Sequence, residues 1–274
     1  MTRVSHRPSG FTLIELAMVL FIVSLLIGGL LMPLTAQNEI RGRQETDKAL
    51  ANIREALIGF AVVNGRLPCP APAALASQPA PQTGVGLEAT TAAAGTTSTT
   101  GPCGCTTATS GIASAGGTAC NDTTPGGVTG VLPWASLGVP ETDAWGNRYT
   151  YRVTTRFARQ ASAQTDFGAC TPTTNPTAAA FALCSAGDMS VLTSTGGNAI
   201  ASAVPAIVIS HGKNTLGAYL PNGTVIAGVV AGSDEAENAN GDANFVSRGS
   251  IDDQLIWIPT SILMGRMLAA GKLP

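Results

Sequence analysis

The chain has 274 residues, 45% of them hydrophobic and 12% charged, with a formal charge of −2. That composition can bury a sizeable core in one domain beyond any membrane segment, and it excludes a chain disordered throughout. Lys48, Lys213 and Lys272 are the only lysines, so nucleic-acid binding, which needs concentrated cations, has no electrostatic basis.

Arg3 and Arg7 precede an apolar run in which Thr12, Glu15 and Ser24 are the only polar side chains between Phe11 and Met32. As a helix at ~1.5 Å per residue the run is about 33 Å long, enough to cross a membrane. The positive-inside tendency holds the amino terminus in the cytoplasm and carries the rest across, with Arg41 and Arg43 weakening it only slightly. A secretory signal needs a shorter apolar region and small residues at its cleavage site, whereas Leu34-Thr35-Ala36 offers a bulky residue there. A carboxylate in such a run costs about 2.5–3.5 kcal/mol, so Glu15 calls for a partner or a function. The plain alternative is a transmembrane anchor with Glu15 snorkelling to the nearby interface.

The junction is more specific than the run. A basic leader ending in Gly10, then Phe11 and "TLIEL" with Glu15 fifth after the glycine, resembles the signal of type IV prepilins and type II secretion pseudopilins. The resemblance implies a leader at 1–10, cut after Gly10 by a membrane peptidase that methylates the new amine of Phe11, and a retained transmembrane helix at 11–32. The freed cationic amine then gives Glu15 of a neighbouring subunit a partner inside a low-dielectric helix bundle. Implied partners are other pilin-like subunits, the prepilin peptidase, an inner-membrane assembly platform and the membrane itself.

From Gln37 onward, Ile40, Leu50, Ile53, Leu57 and Phe60 recur at helical spacing among charged residues, which predicts an amphipathic extension over 33–65 ending at Asn64-Gly65. Gly28-Gly29 and Pro33 place a kink or local melt before it, as in the long, proline-interrupted helix of the resembled family. Between about Pro68 and Thr129 the composition turns to Ala, Thr, Gly, Ser and Pro, so 66–130 reads as a long loop. Cys69, Cys103, Cys105 and Cys120 tack it down as disulfides in an oxidising compartment. A metal site at Cys103 and Cys105 is the alternative, with a poor zinc spacing. Cys170 and Cys184 are the expected pair, because the loop between them is short and rich in Thr, Pro and Ala, while the other four leave three connectivities in which Cys103 and Cys105 take different partners.

Residues 131–274 read as an α+β globular domain. A helical turn near Trp134 leads to a strand with Tyr149, Tyr151 and Val153 on one face and Arg148, Arg152 and Arg156 on a solvated face, with Arg159 beyond. "MSVLTS", "PAIVIS", "TVIAGVV" and "QLIWIP" supply further strands of a small antiparallel sheet, and Ile262, Leu263, Met267 and Leu268 mark a closing helix that packs on the sheet edge. "TDAWGNRYTY", "VISHGKN" and "DDQLIW" resemble later signatures of pseudopilins. The fold class is therefore α+β and type IV pilin-like: a long amino-terminal helix, transmembrane then amphipathic, packed on a small antiparallel sheet and carrying an Ala/Thr/Gly-rich insertion.

No catalytic set is visible. After processing His211 is the sole histidine, and "ISHGKN" has neither a nucleophile elbow nor a phosphate cradle, so His211 reads as a loop residue after a strand. "GRMLAAGK" has the wrong spacing for a phosphate loop. Asp234, Glu235, Glu237, Asp242, Asp252 and Asp253 offer the hard oxygens that calcium takes, without the order of an EF-hand; the bland reading is a solvated acidic loop. No cofactor is required, and calcium is the one candidate. The resemblance implies a structural subunit, single-pass in the inner membrane with its domain in the periplasm. It would be a pseudopilin of a secretion filament or a minor pilin of a surface pilus, including a tip adhesin or DNA-uptake subunit. Without processing, the alternative is a monomeric membrane-tethered domain.

Overall fold

Good helix formers run almost unbroken from the apolar segment into the charged one, and they form one helix, α1 (Leu13–Asn64). The computed structural model describes residues 10–89, 119–120, 127–158, 167, 170–172, 174 and 176–273, with backbone alone at 27–36 and 119–120. α1 continues through Pro33, whose missing N–H removes one backbone bond without ending the helix. The chain divides into two compact units, Met1–Gln44 and Glu45–Pro274.

In the first unit the large apolar side chains from Phe11 to Leu26 are exposed on every side of α1, with Phe11 at 83% and Leu13 at 89%. Such a surface is apolar all round, the pattern of a helix that lipid or other helices cover. Among the described residues no helix is long and apolar enough to cross a membrane. The expected span of 11–32 includes 27–32, whose side chains lie outside the described residues. Residues 1–9 of the expected leader at 1–10 also lie outside them.

The second unit has three layers. Its central sheet is antiparallel throughout, in the order β1 (Ala119–Cys120), β2 (Gly127–Val131), β3 (Thr150–Thr154), β6 (Ala206–Ser210), β8 (Gln254–Trp257). Side-chain alternation then sends the two faces to different partners. Tyr151, Val153, Val208 and Ile256 pack with Leu50, Ile53, Leu57, Ile58 and Ala61 of α1 and with Leu263, Met264 and Met267 of the closing helix α5 (Thr260–Ala269). Ile207, Ile209, Leu255 and Trp257 face a second sheet of β5 (Ala199–Val204), β4 (Met189–Leu192) and β7 (Asn244–Val246). That smaller sheet is mixed, because β4 runs parallel to β7, which corrects the expectation of purely antiparallel pairing.

α1 stops where expected: Gly65 takes φ +73° and donates its N–H to the Ala61 carbonyl at 2.8 Å. A Cβ there would collide with the Ala178 carbonyl, so this glycine is required twice over. The buried stripe differs from the expected one at two positions. Ile40 is exposed, and Phe60 is half-buried under the Arg66 guanidinium, 5.4 Å from its ring centroid.

Three other expectations are corrected. "TVIAGVV" forms no strand; Val225 makes only an isolated bridge to Tyr219, and Gly223 and Gly228, both at positive φ, break the extended run. The arginine face is not solvated. Arg148 and Arg152 are buried and Arg156 is half-buried, because the second sheet and the segment from Ala71 to Ser77 cover that side; Arg159 lies outside the described residues. The acidic loop begins as a helix, α4 (Asp234–Ala239), whose N-cap Ser233 accepts the Ala236 N–H and whose first turn gathers acids at the positive end of the helix. The short α2 (Trp134–Leu137) lies where expected, and α3 (Thr155–Ala158) follows β3 directly.

Residues 66–89, expected as the start of a long loop tacked down by disulfides, are fastened to the domain by other contacts as well. Leu67, Cys69 and Ala71 are buried. Arg66 grips Glu88 through two bonds of 2.8 and 2.9 Å, and the Ala89 N–H reaches the Pro70 carbonyl at 3.1 Å. Arg148, fully buried, donates to Glu141 and to the carbonyls of Ala73, Leu75 and Pro221 at 2.7–3.1 Å, and its guanidinium lies 4.7 Å from the Trp134 ring centroid. Cys170 and Cys184 form the expected disulfide, Cα atoms 5.7 Å apart. Cys69 is also disulfide-bonded. Cys103 and Cys105 lie outside the described residues, and Cys120 is described by backbone alone.

Candidate assembly and processing site

Gly10 is exposed, and a Cβ built on it meets nothing within 4 Å. No packing among the described residues requires glycine there. Phe11 follows, nearly fully exposed.

The first turn of α1 then closes on itself. The Glu15 N–H donates to the Thr12 hydroxyl oxygen at 3.3 Å, while the Thr12 N–H and hydroxyl both donate to Glu15 Oε2 at 3.4 Å. This is a reciprocal capping box, Thr at the cap and Glu three residues on, with the carboxylate also placed at the positive end of the helix. Glu15 is therefore bonded within its own chain, although its neighbours Leu13, Ile14, Leu16 and Met18 are all exposed apolar side chains. Ser24 is likewise satisfied locally, donating to the Phe21 carbonyl at 2.8 Å. The T-x-x-E spacing in "TLIE" is the sequence signal of this cap.

A family model for the prokaryotic N-terminal methylation motif matches residues 5–31. The chain carries a prepilin-type signal. Comparison with curated proteins and with solved structures finds no match. The prepilin-type signal joins Gly10, Phe11 and Glu15 in one motif, the signal of type IV pilins and pseudopilins. The match covers only the amino-terminal end of the chain.

The other predicted site residues lie in the second unit, each engaged by protein partners. Asp234 accepts from the Thr195 N–H and hydroxyl at 2.8 and 2.9 Å and from Arg248 at 3.1 Å. Asn214 links Glu235 to Asp252, its side-chain amide donating to the first at 2.6 Å and its N–H to the second at 2.7 Å. Asp242 accepts the Asn244 N–H at 2.7 Å, Glu237 lies 3.4 Å from the Asn240 amide, and Asp253 accepts from the buried Asn238 at 2.9 Å. Among the described residues no three His, Cys, Asp or Glu side chains come together so as to hold a metal ion.

These contacts set opposed titrations. Hydrogen bonds from Thr195 hold the Asp234 carboxyl below its usual value of 3.8, whereas burial first, then Asp252, Asp253 and the neighbouring acids, push Glu235 and Glu237 above 4.5. Asp234 contributes stability above 3.8 that is lost as pH falls through its lowered value. Glu235 and Glu237 contribute fully below 4.5 and lose that contribution as pH rises through their raised values. We expect amide protection of α4, corrected for intrinsic exchange, to peak in the mildly acidic window between the lowered and raised values and to decline on both sides. A monotonic profile would refute this balance.

His211 is fully buried after β6, with Nε2 2.9 Å from the Thr150 hydroxyl and Nδ1 3.7 Å from Asp253 Oδ1. Hydroxyl, imidazole and carboxylate follow the order of a nucleophilic triad. Thr150 is 7% exposed and Asp253 8%, so all three groups are buried. The group instead joins β3, the end of β6 and the start of β8. Beside it Asp143 accepts from the Trp145 and Asn147 N–H groups at 2.9 Å and from the Ser210 hydroxyl at 2.6 Å, which fixes the "DAWGN" turn. Burial, reinforced by Asp143, raises the Tyr149 hydroxyl far above its ordinary range.

Proposed function

We propose that the protein is a non-catalytic structural subunit of a type II secretion or type IV pilus-like filament, held in the inner membrane by α1 before assembly, with its domain in the periplasm. The observation that carries the reading is the prepilin-type signal on a helix whose apolar side chains from Phe11 to Leu26 stand exposed on every side. A helix of that kind needs lipid first and neighbouring helices later, and processing supplies the amine that makes the exchange favourable. Partners are other pilin-like subunits, the prepilin peptidase and the assembly platform. A pseudopilin role accords with the "DAWGN" turn; a minor-pilin role accords with the cysteine-bearing insertion.

The test is the amino terminus of the chain recovered from cells with an active prepilin peptidase. We expect a peptide beginning at methylated Phe11 in place of one containing Gly10. Recovery of the intact leader would remove the filament reading and leave the membrane-tethered domain.

A further inference from the structure

Three Asn-Gly pairs occur in the chain, Asn64-Gly65, Asn222-Gly223 and Asn240-Gly241, and the structure separates them. In this dipeptide the glycine nitrogen can attack the asparagine side-chain carbonyl, because no Cβ obstructs it. The attack needs a nitrogen free to lose its proton. Gly65 donates to Ala61 at the end of α1 at 2.8 Å, and Gly223 donates to Leu220 within its turn at 2.9 Å. The Gly241 N–H has no hydrogen-bond partner among the described residues. Asn240 is exposed at the carboxy-terminal cap of α4, and a Cβ at Gly241 would meet nothing within 4 Å.

The surroundings of Asn240 also favour the reaction. Its Oδ1 accepts the Asp242 N–H at 2.9 Å, which polarises the carbonyl under attack. Its Nδ2, the departing group, lies 3.1 Å from Asp242 Oδ2 and 3.4 Å from Glu237 Oε2, two carboxyl groups able to carry a proton between the nitrogens.

We propose that Asn240 is a self-modification site of the folded protein. The Gly241 nitrogen bonds to Asn240 Cγ, the Cγ–Nδ2 bond breaks, and the proton from Gly241 leaves with Nδ2 as ammonia. Water then opens the resulting five-membered imide, giving aspartate by one route and isoaspartate by the other, with no change of oxidation state. Either product replaces an amide donor by a carboxylate between Glu237 and Asp242. The isoaspartate route also adds a backbone carbon immediately before Gly241, whose carbonyl accepts from the buried Arg152 at 2.7 Å. The α4–β7 connection thus carries a slow chemical record of the age of the subunit.

The test is incubation of the full-length protein in heavy-oxygen water at mildly alkaline pH, followed by peptide mass mapping and isoaspartate detection. We expect the Asn240 peptide to take up label severalfold faster than the Asn64 and Asn222 peptides, and the three rates to converge in denaturant, where the backbone bonds of Gly65 and Gly223 are gone. Equal rates in the folded protein, or an Asn240 that stays amidated while Asn222 converts, would overturn the proposal. Asn240→Asp should loosen α4 and β7 in hydrogen exchange to the degree seen in aged wild-type protein; aged protein with converted Asn240 but unchanged exchange would sink the record-keeping role.

Discussion

Glu15→Ala should enter the membrane at least as well as the parent and fail to join filaments, with incorporation falling by about a hundredfold, the equivalent of ~3 kcal/mol for an ion pair that loses one buried partner. Insertion improves because the substitution removes a charge costing about 2.5–3.5 kcal/mol in hydrocarbon. Alanine, however, removes two things together: the proposed partner of the Phe11 amine and half of the capping box with Thr12. Glu15→Gln separates them, since glutamine can serve in the same box without the charge. If the Gln variant assembles as poorly as the Ala variant, the charge is what assembly needs. If Glu15→Gln assembles normally and Thr12→Val does not, helix capping suffices and the ion-pair model falls. Quantifying each processed variant in purified filaments against its amount in the membrane decides the matter.

The largest expected loss of stability follows from Arg148→Met. The side chain is fully buried, donates to Glu141 and to three carbonyls, and faces the Trp134 ring. Methionine preserves much of the apolar stem but strands those acceptors and leaves Glu141 without its cation, a change that costs about 3–5 kcal/mol. For a domain of this size that is roughly a 10 °C fall in melting temperature. Urea unfolding of the full-length protein should show a lower midpoint at unchanged slope, and proteolysis should first open the segment from Ala71 to Ser77. A shift under about 1 kcal/mol would mean that the carbonyls find other donors, and the anchoring role would be lost.

How much could be read in advance depended on whether a residue's fate was decided locally. The end of α1 at Asn64-Gly65, the turn at Trp134, the β-branched β6 and the apolar β8 all carry their reasons within a few residues, and the Cys170–Cys184 disulfide spans only 14. β5 does not: "AIASAV" is rich in alanine, two register shifts interrupt its pairing with β4, and Ala203 takes a positive φ. Arg148, just before β3, and Arg152, within it, likewise depend on distant parts of the chain. Alternation correctly placed Arg148 and Arg152 opposite the tyrosines, but only tertiary structure brings carbonyls and Asp188 to cover them. At the candidate site Gly10, Phe11 and Glu15 were legible as a motif, whereas the bonds that hold Asp234 and Glu235 of α4 come from residues 14 to 39 positions away.

The stripe on α1 has a mechanical consequence. Leu50, Ile53, Leu57, Ile58 and Ala61 meet the central sheet and α5 along about 17 Å of helix, at ~1.5 Å per residue. At the far end the Gly65 carbonyl accepts the Ala180 N–H at 2.8 Å, and the Val63 carbonyl accepts Lys272 at 3.1 Å. A pull along the helix axis therefore has to slide the whole stripe at once, in shear, because no single contact can be peeled away first. In the filament proposed above, a pull on α1 would therefore reach the sheet through this seam.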